Sequence, residues 1–72
     1  MKKYKIVLGY VNKLDSYYEV KRFEISATDD DDAINILEAE LRNYRGKSKA
    51  KRIYGRCFNE EKLVIKTKYY DL

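Results

Sequence analysis

The 72-residue chain has no histidine, no tryptophan and a single cysteine. One thiol cannot close an intrachain disulfide. Without histidine it cannot complete the usual multi-cysteine zinc sites either, so no metal and no other cofactor is expected. The missing histidine also removes the commonest general base. Acid–base chemistry needs carboxylates with shifted pKa values in a cleft. Here Glu38 and Glu40 fall on a helix and Glu60-Glu61 in a turn. A chain this short is near the lower limit for an unassisted core and has little with which to enclose a cleft. No catalytic or phosphate-binding motif is present, and the chain reads as a non-enzyme.

Cys57 lies in a strand-like run and reads as a small apolar space-filler. Such sparing use of cysteine fits a reducing compartment, the cytoplasm. Long apolar runs are also missing. Ile6 to Val11 is too short for a signal-peptide core and has no small-residue cleavage site. No segment approaches the length of a membrane span, so no membrane role is expected.

What is present is well sorted. Hydrophobic residues make up 44% of the chain and eight are tyrosine, which argues against disorder. Thr28 to Gly46 states its structure most openly. Thr28 can cap a helix, with Asp31 in the capping-box position. Asp29 to Asp32 fill the first turn, where the helix dipole favours acids. These aspartates lack the alternating ligands, glycine and distal glutamate of a calcium loop. Ala33, Ile34, Leu37, Leu41 and Tyr44 share one side at helical spacing. Arg42 and Arg45 occupy the last turn, and Gly46 supplies the C′ position.

On either side the period is two. Tyr4 to Val11 is a strand, Asn12 to Ser16 a turn, and Tyr17 to Ala27 a second strand. In that second strand Tyr18 and Val20 alternate out of phase with Phe23, Ile25 and Ala27. A bulge or strong twist near Lys21-Arg22 is predicted. Lys51 to Phe58 and Lys62 to Tyr70 form a second hairpin across Asn59-Glu60-Glu61. The whole reads as a single α+β domain, 1–72, with ββαββ order and one helix packed across a four-stranded sheet. A right-handed crossover would place the first and last strands parallel in the middle of a mixed sheet. Tyr4-Lys5-Ile6-Val7-Leu8, the acid-and-alanine helix start and the tyrosine-bearing last hairpin resemble the β-grasp immunoglobulin-binding domains of the protein G type. The resemblance covers most of the chain and implies a β-grasp-like roll. The antibody-binding residues of that family have no one-to-one counterparts here, so the fold alone is carried over.

Two features bear on function. A helix on one face leaves the other face of the sheet open, and a band of Val and Tyr there would suit a protein partner or a homodimer. Val7, Val11, Tyr18, Val64, Tyr69 and Tyr70 are the expected contact residues. The second feature is charge. Arg42 to Arg56 contains basic residues and no acid. Lys47, Lys49, Lys51, Arg52, Tyr54 and Arg56 could therefore serve nucleic acid, the cations on phosphates and the tyrosine on bases. The leading expectation is a small interaction module, accessory or inhibitory, of the size found in phages and mobile elements. Nucleic-acid binding is the alternative.

Overall fold

A computed structural model of the chain describes residues 1–44 and 50–72. The elements are β1 (Lys2–Asn12), β2 (Tyr17–Ala27), α1 (Asp30–Asn43), β3 (Ala50–Phe58) and β4 (Val64–Asp71). They form one sheet in the order β2-β1-β3-β4, with α1 packed on one face. The expected α+β class is therefore observed. The expected strand order is not. β1 pairs with β3 rather than lying parallel to β4, and all three pairings are antiparallel. The sheet is not mixed, and the parallel central pair expected of the β-grasp roll is absent. The reason lies in β3 and β4. β3 buries Ile53, Tyr54, Gly55 and Cys57, as an inner strand must on both faces. β4 alternates Lys66 and Lys68 into its sequence and keeps no buried residue, which suits an edge.

The two hairpin turns use the same device. Asn12 Oδ1 accepts the N–H groups of Leu14 and Ser16, and Asn59 Oδ1 accepts those of Glu61 and Leu63. In each turn the fourth residue takes a left-handed backbone, φ 63° at Asp15 and 64° at Lys62. Each asparagine thus satisfies two donors that the turn would otherwise leave to water.

The helix begins one residue later than the cap at Thr28 implied. Asp29 is the N-cap, and its side chain accepts from the Asp32 N–H at 2.8 Å. Asp32 in turn accepts from the Thr28 N–H at 3.0 Å, one residue before the cap, in a variant of the capping box. Asp30 has a further role. It accepts a 2.7 Å hydrogen bond from the Tyr4 hydroxyl, tying the helix start to β1. Burial, reinforced by Asp30, pushes the Tyr4 phenol up to about 12. Tyr44 closes the helix, its N–H on the Leu41 carbonyl. The Arg45 and Gly46 expectations lie outside the described residues.

Ala33, Leu37 and Leu41 face a floor of Tyr4, Ile6, Leu8, Ala27, Ile53 and Cys57. Each fully buried Leu or Ile contributes about 1.5–3 kcal/mol. Gly55 sets the spacing of the two layers. A Cβ there would lie 2.7 Å from Leu37 Cδ1 and 3.1 Å from Leu8 Cδ2. Among the described residues no helix is long and apolar enough to cross a membrane.

Candidate functional site

The register decides which side chains reach the open face. On β1 these are Lys5, Val7, Gly9 and Val11, because Ile6 and Leu8 go to the helix. On β3 their partners are Phe58, Arg56, Tyr54 and Arg52. On β4, Thr67 and Tyr69 follow from Arg56 and Tyr54. On β2 the expected bulge is present. Leu8 pairs with Lys21 and Gly9 with Glu19, leaving Val20 as the extra residue. That residue reverses the alternation, so Tyr17 comes to the open face opposite Val11.

Two of the expected contact residues are therefore on the wrong side. Tyr18 was expected on the open face, but the bulge that the phase change predicts turns it to the other side. It stacks instead on Tyr10 at 5.2 Å, on the helix side. Tyr70 pairs with Ile53 and packs against the core beneath the helix. A second bulge, at Ile65, breaks the alternation between it and Val64. Val7 and Val11 are on the open face but covered, at 6% and 2% exposure. Both sit on an inner strand between the long side chains of Arg22, Arg56, Tyr17 and Arg52. They form a floor and not a contact surface. Val64 and Tyr69 are both outward and exposed.

What stands on that floor is a tyrosine–arginine cluster. The Tyr17 and Tyr69 hydroxyls are 3.4 Å apart, although their strands are the two edges of the sheet. Three strand spacings amount to about 14 Å. The two rings therefore lean inward, and they do so over Tyr54, at ring distances of 5.4 and 6.4 Å. Tyr54 in turn lies over Gly9, where a Cβ would come within 2.6 Å of its hydroxyl and would also strike the Tyr18 carbonyl oxygen. Arg56 sits 5.1 Å above the Tyr54 ring and 5.8 Å from that of Tyr17, and Arg52 sits 5.6 Å from that of Tyr69. Either hydroxyl can donate in this contact. The contact with Tyr69 raises the Tyr17 phenol. The same contact, with Arg56 and Arg52 close by, lowers the Tyr69 phenol.

Next to the cluster the open face dips into a groove of about 480 Å³, with Val7 and Phe58 in its lining beside the cations Lys3, Lys5, Arg22 and Lys62 and the acids Glu24 and Glu60. Neither Tyr17 nor Gly9 is among the contact residues expected from the sequence, and this groove is not marked there. The signal for Tyr17 was the bulge, which required carrying the reversed alternation back through the rest of β2.

The basic segment fares differently. Lys47 and Lys49 lie outside the described residues. Lys51 is paired with Asp15, and Arg52 with Asp71 at 3.2 Å. Tyr54 is 3% exposed. Cys57 is buried beneath the helix, and burial pushes its thiol up to about 11, away from reactivity. No protein-family model, no curated protein and no solved structure matches the chain.

Proposed function

We propose that the chain is a non-enzymatic, cytoplasmic module that binds a protein partner through the open face of its sheet. Tyr17, Tyr69 and Arg56 form the centre of the contact, and Val64 lies at its far end. The observation that carries this reading is the arch of Tyr17 and Tyr69 over Tyr54. Tyr and Arg dominate the energetics of protein interfaces. Here both rings are exposed, at 50% and 40%, yet already held by a mutual hydrogen bond and by the arginines. A surface ordered before binding loses little side-chain entropy on contact.

The same arrangement disfavours nucleic acid. A base stacking on Tyr17 or Tyr69 competes with guanidinium groups already over those rings. Lys51 and Arg52 are engaged by carboxylates of the chain itself. The test compares three proteins: the wild type, Tyr17→Ala/Tyr69→Ala, and a control changed on the outer helix face, Asn35→Ala. A partner captured from host extract and then purified should bind the wild type and the control at least tenfold more tightly than the face variant, since hot-spot truncations cost about 2 kcal/mol or more. Equal binding by all three would overturn the reading. So would salt-sensitive binding of an oligonucleotide that the face variant loses.

A further inference from the structure

We infer that the open face recognises an acidic protein segment, with a partner carboxylate docking on Arg56 and Arg52 and a neighbouring apolar side chain entering the groove over Val7 and Phe58. This rests on the protein-binding reading and specifies the chemistry of the partner.

The first support is the state of the charges. Among the described residues, Arg56, Lys3, Lys5 and Lys62 have no carboxylate within ion-pair distance. The acids on this face are mostly engaged. Glu19 is held by Arg22 at 2.7 Å, Asp71 by Arg52, and Glu60 accepts the Lys3 N–H. Glu24 is the exception. The face therefore presents cations in excess, and carboxylate is the group that would complement them.

The second support is the posture of Arg56. The rings of Tyr54 and Tyr17 lie close to the Arg56 guanidinium, which also meets the Tyr69 hydroxyl, and its remaining N–H groups can make the charge-assisted hydrogen bonds that suit a carboxylate. The polarity around Tyr69 agrees, since its phenol is drawn down by the Tyr17 hydrogen bond and by both arginines. The third support is Asp71. This carboxylate is 81% exposed and lies 3.2 Å from Arg52 Nε as an ion pair, while that Nε–H makes no hydrogen bond among the described residues, so the cluster attracts a carboxylate without satisfying it. The fourth is adjacency. Arg56 pairs across the strands with Val7, which lines the groove. A carboxylate on Arg56 and an apolar side chain in the groove are thus within reach of one short segment.

The experiment is selection from an unbiased peptide display library on the intact chain, followed by affinity measurement of the enriched peptides. The expected peptides carry Asp or Glu beside an apolar residue. Arg56→Gln should weaken them about tenfold or more, as loss of a charged hydrogen-bonded pair does. Arg56→Lys should fall between, because it keeps the charge and loses the fork. Asp71→Asn should strengthen them about two- to fivefold by removing the internal competitor of an exposed pair. Amide spectra of each variant establish that the fold is intact. Enriched peptides that lack acids but still depend on Tyr17 and Tyr69 would overturn this inference and leave the protein-binding reading standing. Peptides indifferent to every face variant, or an oligonucleotide that binds in an Arg56-dependent way, would overturn both. Enrichment of a sequence like Asp29 to Asp32 would identify a second copy of this chain as the acidic partner.

Discussion

The two faces of this sheet solve the same problem with different materials. Beneath the helix the inner strands bury Ile6, Leu8, Ile53 and Cys57 under Leu37 and Leu41. On the open face the same strands bury Val7, Val11 and Tyr54, and the covering layer is Tyr17, Tyr69 and Arg56. Each face also has one glycine set against a large side chain, Gly55 against Leu37 and Gly9 against Tyr54. The helix side is closed by an element of the chain. The open side is closed only by side chains whose outer edges remain in water. One layer is complete, and the other offers a surface.

The comparison is broken most severely in the complete layer. Leu37→Ala should cost about 2–5 kcal/mol, measured by chemical denaturation, a large share of the stability of so small a domain. The glycines come next and should differ from each other. Gly9→Ala meets the backbone carbonyl of Tyr18 as well as the Tyr54 ring, and should cost about 1–3 kcal/mol. Gly55→Ala meets the ends of two leucine side chains, which can yield, so it should cost less in the same assay. Tyr17→Phe/Tyr69→Phe removes only an exposed hydroxyl pair, and the unfolding free energy should fall by less than about 0.5 kcal/mol. If the double change costs as much as Leu37→Ala, the open layer is a structural core and the contrast fails.

The two faces also differ in their response to pH. The Tyr4 phenol is raised in the folded chain to about 12 from about 10, so folding favours its neutral form. Its contribution is complete below pH about 10 and is lost as the pH rises toward about 12. Tyr4→Phe should flatten that alkaline decline in stability. On the open face Tyr69 moves in the opposite direction, while Tyr17 and Tyr54 are raised. Tyr69 ionises below the ordinary tyrosine value, so Tyr69→Phe should remove an early component from a spectrophotometric titration.

The elements and the helix face were legible because their signals are local. The spacing of Leu37 and Leu41, the acidic first turn and the two asparagine turns each lie within a few residues, although the cap itself fell on Asp29 and not on Thr28. Strand order was less legible. Alternation says which face a residue takes, but not which strand will be its neighbour. The charge on β4 and the apolar density of Ile53 to Cys57 were the available signs that β3 is the inner strand. The site was least legible of all. Its tyrosines come from both edge strands, and their meeting depends on one extra residue at Val20 and on the absence of a side chain at Gly9. A period-two reading loses the facing of Tyr18 and Tyr17 as soon as one bulge intervenes.

The central claim is that the open face, and not the helix face, meets the partner. It is tested most directly by photo-crosslinking from two positions, with a photoreactive residue at Thr67 beside Arg56 or at Asn35 on the outer side of the helix. The account predicts a discrete protein adduct from Thr67, suppressed by Tyr69→Ala, and none from Asn35. An adduct from Asn35 alone, or from neither position in extract where the partner is present, would contradict it.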